Sequence, residues 1–233
     1  MFLTALVAIG GTSCKKHVTP FDEAVAAVGS PEFFEREQVA RWLLVYDTVA
    51  LLAETDGVEA PLCWEQEGVW HVRAGQGLFR LESGQLVAYE GPEAVDSDAM
   101  LRAIGRVRNL ERKSPDFDLA AYPRRTEEGI EVWLVPKGVD QVVIGKSWRY
   151  LYSATGRELL DQETWNRGSQ VVGPDSELDL TLQSEEPEHP TVAELFFALY
   201  HRDAFKSVTI ETSKYRVTPM DLGGSLGWGR SAL

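Results

Sequence analysis

The chain has 233 residues, with 36 Asp and Glu against 23 Lys and Arg, for a formal net charge of −13. Such a field repels nucleic acid and anionic membrane surfaces, so neither is an expected partner; it favours basic proteins or plain solubility. An apolar fraction of 44% supports an ordinary core, and two cysteines are too few for a disulfide scaffold, so burial has to hold the fold.

Residues 1–13 carry no charge, are apolar through Ile9, and end in the small residues Thr12 and Ser13 before Cys14 and Lys15-Lys16. About ten apolar residues are too few for a membrane-crossing helix, which needs ~20. The outline is that of a secretion signal. In Thr12, Ser13 and Cys14 it resembles the N-terminus of bacterial lipoproteins, whose signal ends in an aliphatic residue, where Gly11 stands here, then two small residues and a cysteine that is lipidated and becomes the first mature residue. The resemblance covers these residues alone. It implies a signal peptide over 1–13, lipidation at Cys14, a place in the cell envelope, and membrane contact through the lipid only. The alternative is an apolar start docked on a cytoplasmic domain. Cys63, between Leu62 and Trp64, reads as a small buried apolar side chain.

Downstream, Thr19-Pro-Phe-Asp22 and Ser30-Pro31-Glu32 each carry a cap residue, a first-turn proline and an early acid, the signature of a helix start. In the second helix, Val39, Trp42, Leu43, Tyr46, Val49, Ala50 and Ala53 recur at three- and four-residue steps as one apolar stripe. From Val69 the period becomes two, and Ala74-Gly-Gln-Gly77 and Ser83-Gly84 punctuate a meander to Glu90. A helix from about Asp98 to Lys113 follows. Its wheel puts Met100, Leu101, Ile104, Val107 and Leu110 on one side, with Arg102, Arg106 and Lys113 on the other and Arg108 and Arg112 nearby.

Residues 114–128, polar and carrying Pro115, Pro123 and Arg124-Arg125, read as a linker between an N-terminal α+β part over 14–113 and a C-terminal one over 129–220. Strands are expected at 129–135, 141–144, 147–153 and 158–162. The stretch 177–183 alternates with Leu178, Leu180 and Leu182 on one face. Thr191-Val-Ala-Glu194 is a capping box opening a helix whose buried face holds Val192, Leu195, Phe196, Leu199 and Tyr200. A hairpin from 207 to 218 precedes a Gly-rich tail over 221–233. The expected class is α+β, with antiparallel sheets and three to four amphipathic helices.

Catalytic patterns fail on mechanics. Gly223-Gly-Ser225-Leu-Gly227 fits a nucleophile elbow, but no His, Asp or Glu follows it. Gly145-Lys146-Ser147 resembles the end of a phosphate loop, yet Asp140 stands where the first glycine belongs. His17, His71, His189 and His201 have no metal-ligand spacing, and pairs such as Asp96/Asp98, Asp116/Asp118 and Asp161/Glu163 lack a calcium-loop pattern, so no metal and no cofactor is expected.

Two surfaces remain. Trp148, Tyr150 and Tyr152 alternate on one strand face and make either a stacking platform or, if a helix covers them, core. Arg102, Arg106 and Lys113 form a basic helix face. The composition leaves three roles open: a lipid-anchored envelope protein with a non-enzymatic binding or assembly role, whose partner is another envelope protein; an immunity-type protein neutralising a basic toxin; or a hydrolase assembled from distant residues, with Glu194, His189, His201 and Asp203 as first suspects.

Overall fold

The computed structural model describes residues 29–58, 60–93, 95–110, 118–137, 142–165, 170–221 and 226–233. The expected signal segment with Cys14, the expected first helix after Thr19, Lys113 and residues 114–117 lie outside the described residues.

Ser30 opens α1 (Pro31–Thr55): its backbone is extended and its hydroxyl accepts from the Phe33 amide at 3.2 Å. Pro31 follows where no amide donor is needed. Ala40, Leu43, Tyr46, Val49, Ala50 and Ala53 are buried, while Val39 and Trp42 stay half-buried at the stripe's margin. Four short strands then run up and down as one antiparallel sheet, β1 (Leu62–Gln66), β2 (Val69–Ala74), β3 (Gly77–Glu82) and β4 (Gln85–Ala88). Glycines with positive φ at 68, 75 and 84 close their turns.

α2 (Ser97–Leu110) leads to the central antiparallel sheet. Its strands are β5 (Leu119–Arg125), β6 (Ile130–Pro136), β8 (Ser147–Tyr152) and β9 (Leu159–Trp165), in the order β5-β6-β8-β9. The short β7 (Val142–Ile144) pairs instead with β10 (Gln170–Val172). Residues 119–125, expected within a linker, are thus a strand in register with β6 over its whole length. Proline and arginine are tolerated there because β5 is an edge strand.

The last layer departs from the all-antiparallel expectation. β11 (Asp175–Gln183) runs parallel to β12 (Phe205–Glu211), with α3 (Val192–Tyr200) in the connection, as a parallel pair requires. β13 (Tyr215–Asp221) and β14 (Leu226–Ala232) extend this sheet antiparallel, so most of the expected Gly-rich tail is a strand. Because β11 is an edge, only Leu182 of its leucine row is buried, and Leu178 is exposed. The class is α+β with antiparallel sheets, as expected, plus this single parallel ladder among the described strands.

Two cores lie on opposite faces of the central sheet. One face presents Ile130, Val132 and Leu134 beside Tyr152, Tyr150 and Trp148, and receives Ala99, Met100, Ala103 and Val107 of α2. Large rings on the sheet call for small residues on the helix. The buried stripe of α2 is therefore rotated toward its alanines, and Leu101 and Leu110, expected inside, face solvent. The other face joins a core shared by α1, α3, β12 and β13, so segments from both the N-terminal and C-terminal parts pack together. Among the described residues no helix is long and apolar enough to cross a membrane.

Candidate functional site

Asp47 fixes α1 against the second sheet face. It is almost wholly buried and accepts from Tyr122 Oη at 2.8 Å and from Lys137 Nζ at 3.0 Å. Burial, and then the Asp47 charge and hydrogen bond, push Tyr122 far above the ordinary phenol range. Burial alone would lower Lys137, but the Asp47 bond and charge outweigh it and raise it.

Nearer its N-terminus, α1 stands off this face and leaves a cleft of about 430 Å³, with Glu35, Arg36 and Val39 on the helix side. The volume falls within the range of ordinary small-ligand sites. Alternation on β6 aims Glu131 and Trp133 into it, the register brings Arg149 of β8 opposite Trp133, and Glu163 of β9 lies opposite Arg149. The start of α3, at Thr191 and Val192, closes the cleft together with Glu186.

Glu131 is the buried centre of this surface, at 6% exposure. Arg124 holds its Oε2 through Nη2 at 2.5 Å and Nε at 3.0 Å, and Arg149 Nε holds Oε1 at 2.8 Å. Burial pushes the carboxyl upward, but the two guanidiniums prevail and hold it below the usual carboxylate range. Arg149 Nη1 also reaches Asp161 at 3.2 Å and Glu163 at 3.6 Å, and Arg36 pairs with Glu186 at 2.7 Å. Each guanidinium therefore meets at least one carboxylate, and the lining carries three arginines against four glutamates. Trp133 and Trp165 stack beside this array.

A second recess of about 350 Å³ adjoins the first, lined by Trp42, Trp64, Glu65 and Pro123 among others. Arg124 lines both; its guanidinium lies 5.6 Å from the Trp42 ring centroid. Trp64 Nε1 is buried and has no hydrogen-bond partner among the described residues.

The residues singled out from the sequence fall elsewhere. Trp148, Tyr150 and Tyr152 are at most 2% exposed beneath α2, so they are core and the platform reading is excluded. Arg102 is exposed, donates to Thr155 O at 3.1 Å and pairs loosely with Asp96; Arg106 is exposed on the same helix, and Lys113 is outside the described residues. Ser147 Oγ donates to Gly145 O; Gly145-Lys146 only connects β7 to β8, which Ser147 opens, and no helix follows as a phosphate loop requires.

Of the hydrolase suspects, Glu194 and His201 do line one enclosed cavity, but it measures about 20 Å³, room for a single water. Glu194 is engaged by the Thr191 and Glu185 amides and the Ser184 hydroxyl, completing the expected capping box. Burial lowers His201 to about 4, and it packs on Phe197. His189 stands beside Tyr215 and Glu32, and Asp203 is exposed next to Arg202, so the four suspects do not converge. Cys63 is a buried free thiol, pushed by burial up to about 12. Among the described residues no His, Cys, Asp and Glu group is placed to hold a metal ion.

The cleft residues Arg124, Glu131, Trp133, Arg149 and Trp165 escaped sequence reasoning. The available signal was charge inside otherwise apolar strands: Glu131 between Ile130 and Val132, and Arg149 between Trp148 and Tyr150. A polar residue on the inner side of a buried strand needs a partner, and pairing them would have pointed to one shared face. In comparison with known proteins, the chain matches no family model, no curated protein and no solved structure.

Proposed function

We propose that the chain is an envelope protein, held at a membrane by a lipid on Cys14, whose body has a non-enzymatic binding role carried by the cleft between α1 and the central sheet. The observation that supports the binding role is the cleft's chemistry. Its arginines are arranged against carboxylates beside a stacked indole pair, which makes a rigid recognition surface with polar groups held in place by one another. Glu131 is fixed as a carboxylate between two cations, a poor proton donor or acceptor near neutral pH but a well-held acceptor of hydrogen bonds.

The address is supported by residues 1–16: an uncharged apolar run, Thr12-Ser13-Cys14, then two lysines. A lipid tether suits a body of net charge −13, which an anionic bilayer surface repels. The test is detergent-phase partition of the protein from bacteria expressing the full gene. Wild type is expected in the detergent phase and Cys14→Ser in the aqueous phase; equal partition of the two overturns the anchor.

A further inference from the structure

We propose that the cleft and its neighbouring recess form one track for a neutral, hydroxyl-rich chain, that is, a glycan segment, with Arg124 as the bridge between a stacking station at Trp165 and a second station lined by Trp42 and Trp64. This rests on the reading of the cleft as a binding surface and names the chemistry it would recognise.

Charge is the first argument. An anionic ligand would compete with Glu131, Glu163 and Glu186 for the arginines, and a cationic one would meet Arg36, Arg124 and Arg149. Against such a balanced lining, the better complement is an uncharged molecule that both donates and accepts hydrogen bonds at close intervals. A guanidinium has five N–H donors and a carboxylate about four acceptor sites; Glu131 is filled by Arg124, Arg149 and Trp133 Nε1, so the remaining capacity lies on the arginines and on the more exposed Glu163 and Glu186. A hydroxyl, donor and acceptor at once, can bridge the two halves of such a pair.

Shape is the second. Indole faces pack well against flat C–H surfaces while leaving the ligand's edge free for polar contacts, and tryptophans line both recesses. Trp165, half-buried and backed by Trp133, stands at one station. The other is lined by half-buried Trp42, which carries the Arg124 guanidinium over its ring, and by Trp64, which is buried and stacked on His71. Arg124 touches both, paired with Glu131 on one side and placed over Trp42 on the other, so the recesses are contiguous. In the second recess the unpartnered Trp64 Nε1 is a donor that a ligand hydroxyl would satisfy. Two stations joined by a polar bridge favour an oligomer over a single sugar.

The experiment is tryptophan-fluorescence and calorimetric titration of the purified full chain with cellohexaose, chitohexaose and maltohexaose, and with the matching disaccharides, up to about 10 mM. At least one hexasaccharide is expected to bind, its disaccharide about tenfold or more weaker, and Trp165→Ala to weaken the hexasaccharide about tenfold. Glu163→Ala, an exposed side chain whose loss leaves the core intact, is expected to weaken it several-fold; this second variant keeps the test decisive if Trp165→Ala folds poorly. Saturation by none of the three hexasaccharides overturns the glycan proposal. A decalysine peptide and a heparin-derived hexasaccharide are titrated in parallel. Binding of either in place of the neutral hexasaccharides, altered by Glu163→Ala, would keep the cleft as a binding surface while overturning the neutral glycan as its ligand, and silence from every probe would count against the cleft itself.

Discussion

Trp133 of β6 and Trp165 of β9 lie face to face, ring centroids 5.2 Å apart and planes 6° from parallel, although β8 runs between their strands. Strands two apart are separated by about 9.5 Å, so both side chains must lean over β8 to meet. Trp165 thereby shields Trp133, which is only 3% exposed. Trp165→Ala is expected to cost about 1 to 2 kcal/mol from the lost pair and burial, and to shift tryptophan emission to the red as Trp133 meets water. Urea denaturation followed by fluorescence reads both; an unchanged emission maximum would mean that Trp133 is shielded by something else.

Glu131 supports the cleft only while ionised. Its folded pKa is depressed, so its contribution is complete above the unfolded value of about 4.3 and is lost as pH falls through the lower folded value. Glu131→Gln removes the charge that Arg124 and Arg149 share and is expected to cost about 2 to 3 kcal/mol at pH 7, as for hydrogen bonds to charged groups. In equilibrium unfolding, wild type and variant should converge below pH 4.

On the alkaline side the phenols decide. Burial raises Tyr46, Tyr122 and Tyr215 above the ordinary range and pushes Cys63 up to about 12. Their stability contribution is complete below the unfolded values, about 8.5 for the thiol and 10 for the phenols, and is lost as pH rises toward the folded ones. The urea midpoint should therefore begin to fall near pH 9 and drop steeply above 10. Lys137, raised by Asp47, loses its share of that pair in the same direction. Tyr122→Phe should cost about 1 to 2 kcal/mol at pH 7 and make the alkaline fall shallower.

His201 gives a smaller window with the opposite slope. Burial depresses it to about 4, so between the unfolded value near 6.5 and that pH the unfolded chain binds a proton that the folded one refuses, and stability declines as pH falls. Proton-detected NMR titration should show the His201 ring neutral down to pH 5; a midpoint near 6.5 would mean that the ring is solvated.

Gly156, at φ +67°, sits in the β8–β9 turn against the first turns of α2, and a Cβ there would lie 2.1 Å from the Ala99 carbonyl oxygen. The atoms it would meet, Ala99 O and C and Ala103 N, are all helix backbone and have little room to yield. Gly156→Ala is expected to cost about 3 kcal/mol, combining left-handed strain with overpacking, as read by thermal or urea unfolding.

Much of the fold was legible where the signal is local. Ser30 and Thr191 cap helices because their hydroxyls meet amides three residues on, and the meander after Val69 follows from its glycine turns. Nonlocal features were hidden. β5 resembled a linker because Pro123 and Arg124-Arg125 carry no strand propensity, yet edge position and the Arg124–Glu131 pair accommodate them. The parallel β11–β12 ladder is invisible in an alternation pattern, which does not encode direction. The cleft draws on α1, all four strands of the central sheet and the start of α3, so no single stretch of sequence contains it. The aromatic row of β8 was visible, but whether a helix covers it depends on the alanines of α2.

The proposed envelope address would govern which ligands this cleft can meet, and mass spectrometry of the mature N-terminus tests it most directly. Protein purified from membranes of a bacterium expressing the whole gene is predicted to begin at Cys14 and to carry the mass of a thioether-linked diacylglycerol. An unmodified chain still beginning at Met1-Phe2 would contradict the account.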